Sequence, residues 1–141
     1  MKTGNTSIVV DTYAWIEYFR GTRKGEIVKE KLLSAPEIYT PSIVLAEIAR
    51  KYLRENMPEP LVEERLKIIT EASIIIGIDQ KIALEAGKAY IELAEASKKQ
   101  GLKHKPSLND AIILASARKL QAKVLTNDKH FKNLEETIWL G

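Results

Sequence analysis

Short apolar runs with no polar alternate recur along the chain. Between them lie longer segments whose apolar positions return every three to four residues. The first run, residues 7–10, predicts a buried strand. Residues 12–20 and 24–34 predict two helices, parted at Gly21-Thr22. Glu37 to Thr40 predicts a second strand. Pro41 suits the first turn of the next helix, with Thr40 as its cap, and that helix runs to about Met57, where Pro58 and Pro60 stop it. Residues 61–72 predict another helix, and Ile74-Ile75-Ile76-Gly77-Ile78 a third strand, strongly β-branched. Asp79 then caps a long helix to about Gln100, closed by Gly101. Ser107 to Gln121 predicts a helix, Lys123 to Leu125 a fourth strand, and Thr137 to Leu140 a short fifth.

Strands thus alternate with helices, and the strands are continuous apolar runs rather than in–out patterns. Both features predict an α/β fold, a three-layer α/β/α sandwich around a short, mostly parallel sheet. No repeat or long linker divides the 141 residues, which are expected to form one domain over 1–141.

Composition adds exclusions. With no cysteine, disulfides and thiolate metal sites are out. The segment MKTGNTS has no apolar core of the kind a signal peptide needs, and no window approaches a membrane span, so a cytoplasmic protein is expected. The net charge of +3 is too small to announce nucleic-acid binding. Lys98, Lys99, Lys103, His104 and Lys105 nevertheless cluster between two helices. They read first as solvated loop residues, and second as phosphate contacts for RNA.

In open parallel sheets the functional crevice lies beyond the carboxyl ends of the strands. Asp11 follows the first strand there, Asp79 the third, and Thr126, Asn127 and Asp128 the fourth. Glu47 and Asp110 are carried by helices. Taken singly, Asp11, Asp79 and Asp128 read as helix caps, and Asp110 pairs with Ser107 as in a capping box. Glu47 lies past the capping positions, on the flank of the face formed by Val44, Leu45, Ile48 and Tyr52. Asp110 starts a helix that is apolar nearly all round, so its carboxylate needs compensation. Taken together, four converging carboxylates would repel by roughly 1 to 4 kcal/mol per close pair. Such a cluster persists if protons or a cation sit among them, and oxygen ligands select a hard ion such as Mg²⁺ or Mn²⁺.

Four motifs then carry a resemblance. They are Val9-Val10-Asp11-Thr12, Pro41-Ser42-Ile43-Val44-Leu45-Ala46-Glu47-Ile48, Ser107-Leu108-Asn109-Asp110-Ala111, and Leu125-Thr126-Asn127-Asp128-Lys129-His130-Phe131. In this order the chain resembles the PIN domain family, and within it the small toxins called VapC. The resemblance implies a metal-dependent ribonuclease. It assigns Asp11, Glu47, Asp110 and Asp128 as the acidic quartet, with Asp11 and Asp110 as core ligands of Mg²⁺ or Mn²⁺. It assigns Thr12 and Thr126 as hydroxyls that orient a carboxylate or water. It also implies an RNA substrate, an antitoxin protein as partner and a homodimer. Asn127 stands where relatives often carry a basic residue. The aromatic residues of the first helix, Tyr13, Trp15, Tyr18 and Phe19, spread over more than one face, which suggests an interface beside a core.

Three other readings stay open. A PIN-like nuclease of RNA maturation has the same residues. A phosphoacceptor receiver domain would use Asp79, but it wants paired acids after the first strand, where Asp11 stands alone. A fold that binds RNA without cleaving it would not need all four acids.

Overall fold

The computed structural model describes residues 6–141. The expectation about a leader therefore falls mostly outside the described residues. Among the described residues, five parallel strands form one sheet in the order β3-β2-β1-β4-β5. They are β1 (Ile8–Val10), β2 (Ile38–Pro41), β3 (Ile74–Ile76), β4 (Lys123–Thr126) and β5 (Thr137–Trp139). Six helices intervene: α1 (Thr12–Arg20), α2 (Arg23–Ser34), α3 (Ser42–Arg54), α4 (Glu59–Ala72), α5 (Gln80–Gln100) and α6 (Leu108–Leu120). A 3₁₀ turn, Lys129–Phe131, follows β4. This is the α/β sandwich that the alternation predicts.

The apolar runs are buried where the sheet is central. Ile8, Val9 and Val10 in β1 and Val124 and Leu125 in β4 are inaccessible, as strands covered on both faces require. The same kind of run behaves differently at the edge. β3 is an outer strand, Ile74 is 48% exposed, and the strand stops at Ile76 rather than Ile78.

Pro41 is placed differently from expectation. It ends β2, paired with Ile76, and α3 begins only at Ser42 with no side-chain cap. Thr40 is turned into the core instead, where its hydroxyl accepts from Trp15 Nε1 at 3.1 Å. Thr40 in turn donates to Ser73 Oγ at 2.7 Å, and Ser73 donates to the Ile69 carbonyl. This relay satisfies three polar groups that burial would otherwise leave orphaned, and it ties α1 to β2 and to the end of α4. A second discrepancy is that α3 ends at Arg54, and Asn56 beyond it takes a positive φ.

Gly21-Thr22 is a double cap. Gly21 has φ 66° at the end of α1, and Thr22 accepts from the Gly25 N–H to start α2. Gly25 lets the two helices touch: a Cβ there would lie 2.1 Å from the Glu17 carbonyl oxygen. No helix among the described residues is long and apolar enough to cross a membrane.

Candidate active site

β1 and β4 are neighbours, so the residues after them meet at the carboxyl edge of the sheet. Asp11 caps α1, its Oδ1 accepting from the Ala14 N–H at 2.8 Å. Its Oδ2 accepts a short hydrogen bond from Thr126 Oγ1. Thr126 Oγ1 also accepts from the Asp128 N–H at 2.9 Å, so one hydroxyl joins Asp11 to the backbone of Asp128. Thr12 plays the matching part on the other flank, donating to Glu47 Oε1 at 3.0 Å.

The other two aspartates are also caps. Asp110 closes a box with Ser107: Ser107 N–H donates to Asp110 Oδ2 at 2.9 Å, and Asp110 N–H donates to Ser107 Oγ at 3.0 Å. Asp128 starts the 3₁₀ turn by accepting from the His130 N–H at 2.9 Å through Oδ1. Each cap fixes its carboxylate through one oxygen. The second oxygen of Asp110 and of Asp128 has no hydrogen-bond donor among the described residues. Capping thus orients these acids without using them up.

Ligating atoms of Asp110, Asp128 and His130 all lie within 4.8 Å of one another. Asp11 stands close enough behind them for their charges to act on it. Burial pushes the Asp11 carboxyl up to about 7, against the hydrogen bonds from Thr126 and Ala14 and with help from the charges of Asp128 and Asp110. Burial likewise pushes Asp110 up to about 6, with the charge of Asp128 as the next cause. No ion pair among the described residues involves Asp11, Asp110 or Asp128. Asn127 adds an orphan, since its Oδ1 is buried without a hydrogen-bond partner. Convergent carboxylates that form no ion pair, beside an amide oxygen unpaired among the described residues, fit a hard divalent cation.

Glu47 lies outside that three-residue group. With Thr12 it lines a different cleft, among Arg50, Lys51 and Arg54 on α3. The larger cleft, about 620 Å³, is lined by Asp128, His130, Tyr13, Asn127, Lys103 and Lys129 among others. Of the lysines singled out from the sequence, only Lys103 lines it. Lys98, Lys99 and Lys105 are exposed elsewhere on the surface. Lys129 joins in their stead. The first helix also sorts itself out. Trp15 is fully buried, Tyr18 and Phe19 pack against the core with the Arg65 guanidinium 5.2 Å from the Phe19 ring, and Tyr13 alone of the four is exposed, into the cleft. The aromatics are thus divided between the core at Trp15, its half-buried margin at Tyr18 and Phe19, and the exposed surface at Tyr13.

Asp79 is a structural residue. Its Oδ1 caps α5 through Ile82 N–H at 2.8 Å, and its Oδ2 holds Lys119 Nζ at 2.7 Å. β3 is separated from β1 by β2, so Asp79 is remote from Asp11 along the sheet edge. That order removes the geometry a receiver domain needs. His130 is the residue that the reading of acids passed over. The signal was its place two residues after Asp128, which the tight 3₁₀ turn converts into proximity.

The sequence matches the PIN domain family over residues 8–136. No curated protein sequence matches it. Among solved structures, a toxin-antitoxin complex from Klebsiella pneumoniae is 23% identical with a TM-score of 0.70, over 95% of this chain and 98% of that one. VapBC2 from Rickettsia felis, bound to a DNA fragment from its promoter, is 20% identical with a TM-score of 0.68, over 94% and 96%. VapC20 from Mycobacterium tuberculosis, a Sarcin-Ricin loop cleaving toxin, is 18% identical with a TM-score of 0.60, over 91% and 95%. These likenesses are of fold. With the match spanning all but the two ends of the sequence, the chain belongs to the PIN domain family.

Proposed function

We propose that this protein is a divalent-metal-dependent endoribonuclease, and that it is the toxin of a toxin-antitoxin pair. The observation that carries the reading is the convergence of Asp110 and Asp128 near the buried Asp11, none of the three held in an ion pair among the described residues. Family membership supports it, as do the similar structures, one a Sarcin-Ricin loop cleaving toxin and another a toxin-antitoxin complex.

Asp11, Asp110 and Asp128 would hold Mg²⁺ or Mn²⁺. Glu47, steadied by Thr12, would complete the site from α3, directly or through water. An ion so held would supply an acidified water and offset charge on a phosphodiester. Thr126 keeps Asp11 and Asp128 in mutual register. Tyr13, exposed in the cleft, offers a face on which a base can stack. Lys103 and Lys129 offer charge for the flanking phosphates. The partners proposed are RNA, an antitoxin protein and a second copy of the chain.

The test is cleavage of RNA by the full chain with Mg²⁺, with Mn²⁺ and in excess chelator, alongside induction of the gene in cells. Metal-dependent cleavage with growth arrest, relieved by Asp110→Asn, is expected. Undiminished cleavage in chelator contradicts the enzyme. Cleavage without growth arrest contradicts the toxin and leaves a nuclease of RNA maturation.

A further inference from the structure

The environment of His130 carries an inference that rests on reading the acidic site as a metal centre. Its ring reaches the same 4.8 Å group as the carboxylates of Asp110 and Asp128. The ring is held at one nitrogen, with Nδ1 lying 2.9 Å from Ser97 Oγ. Ser97 is buried on α5, an unusual place for a serine unless its hydroxyl has a task. With Nδ1 protonated and donating to Ser97, Nε2 keeps its lone pair. Metal-ligating histidines have this arrangement, the second ring nitrogen being anchored by a polar neighbour that fixes tautomer and orientation. Carboxylates alone suit Mg²⁺, whereas an imidazole donor favours first-row transition ions.

We propose that His130, anchored by Ser97, is a nitrogen ligand of the divalent ion, so that the site prefers Mn²⁺ to Mg²⁺. The competing use of the ring is as a cation that balances Asp110 and Asp128 until a metal displaces it. In that case removing the ring would strengthen metal binding.

Mn²⁺ bound to the full-length chain is examined by electron spin-echo modulation, and Mn²⁺ and Mg²⁺ affinities are measured by calorimetry for the parent, His130→Gln and Ser97→Ala. Circular dichroism melts check that the variants fold. The expected result is nitrogen coupling in the parent that disappears in His130→Gln. Mn²⁺ affinity should fall about tenfold or more in both variants, with a smaller loss for Mg²⁺. Mn²⁺ binding to the parent without nitrogen coupling overturns the role of His130 and leaves the carboxylate site standing. Coupling that persists in His130→Gln, or affinity that is unchanged or raised there, does the same. Absence of any Mn²⁺ binding to the parent overturns the carboxylate site as well.

Discussion

Asp11 illustrates how one side chain can be both a cap and a proposed ligand. One oxygen accepts from Ala14 and the other from Thr126, so the carboxylate is rigid before any ion arrives. Burial makes its charge costly, and this fixes the sign of a pH effect. The unfolded Asp11 releases its proton near pH 4, the folded one near 7. Its contribution to stability is therefore full below about pH 4 and lost as pH rises through about 7, and Asp110 acts in the same direction up to about 6. Asp79 and Glu92, whose carboxyls their cationic partners hold low, are already ionised across that window. In chelator, the melting temperature should drop between pH 5 and pH 8, and added Mn²⁺ should restore more of it at pH 8. A melting temperature that climbs over this range without metal contradicts the assignment. Asp11→Asn keeps the Ala14 cap and removes the charge. It should flatten the pH dependence while reducing RNA cleavage by at least about 100-fold, of the order seen when one electrostatic contact to a transition state is removed. The acids were legible as residues because each follows a strand or opens a helix. His130 was legible only as a near neighbour of Asp128, because nothing in its spacing shows the buried Ser97 that its ring meets.

Among the elements, helix starts were easier to read than strand ends. Gly21-Thr22, Asp79, Ser107 and Gly101 each act as the caps their residue types suggest. Pro41 misled because proline suits either the first helical position or the last strand position, and the register with Ile76 decides for the strand. The relay from Trp15 through Thr40 to Ser73 depends on tertiary contacts and leaves no local sign. Close helix contact gives a contrasting pair of substitutions. Gly25→Ala forces a methyl group into the Glu17 carbonyl and should cost about 3 kcal/mol, whereas Gly87→Ala on α5 meets nothing within 4 Å and should gain about 1 kcal/mol from helix propensity. Urea denaturation of the two variants measures both. Equal effects would mean that α1 and α2 are not packed as described.

For the whole molecule, alternation of runs was enough to foresee a parallel sheet but not the order of its strands. That order matters chemically: it sets β4 beside β1, which unites Asp11 with Asp128, and it sends β3 to the edge with Asp79. The cleft formed on this edge collects Tyr13, Lys103 and Lys129 from three separate segments. If both lysines touch RNA phosphates, Lys103→Ala with Lys129→Ala should make the salt dependence of RNA binding shallower by about 1.4 in the log–log slope, at about 0.7 per contact for a single strand. An unchanged slope, measured by fluorescence anisotropy, would move the RNA path away from this cleft.

The most direct measurement is an anomalous difference map from crystals of the chain soaked in Mn²⁺. A peak bonded to carboxylate oxygens of Asp110 and Asp128, with Asp11 beside it, is expected. Fully soaked crystals with no peak at these residues, or with manganese only at surface acids such as Glu92 and Glu136, would contradict it.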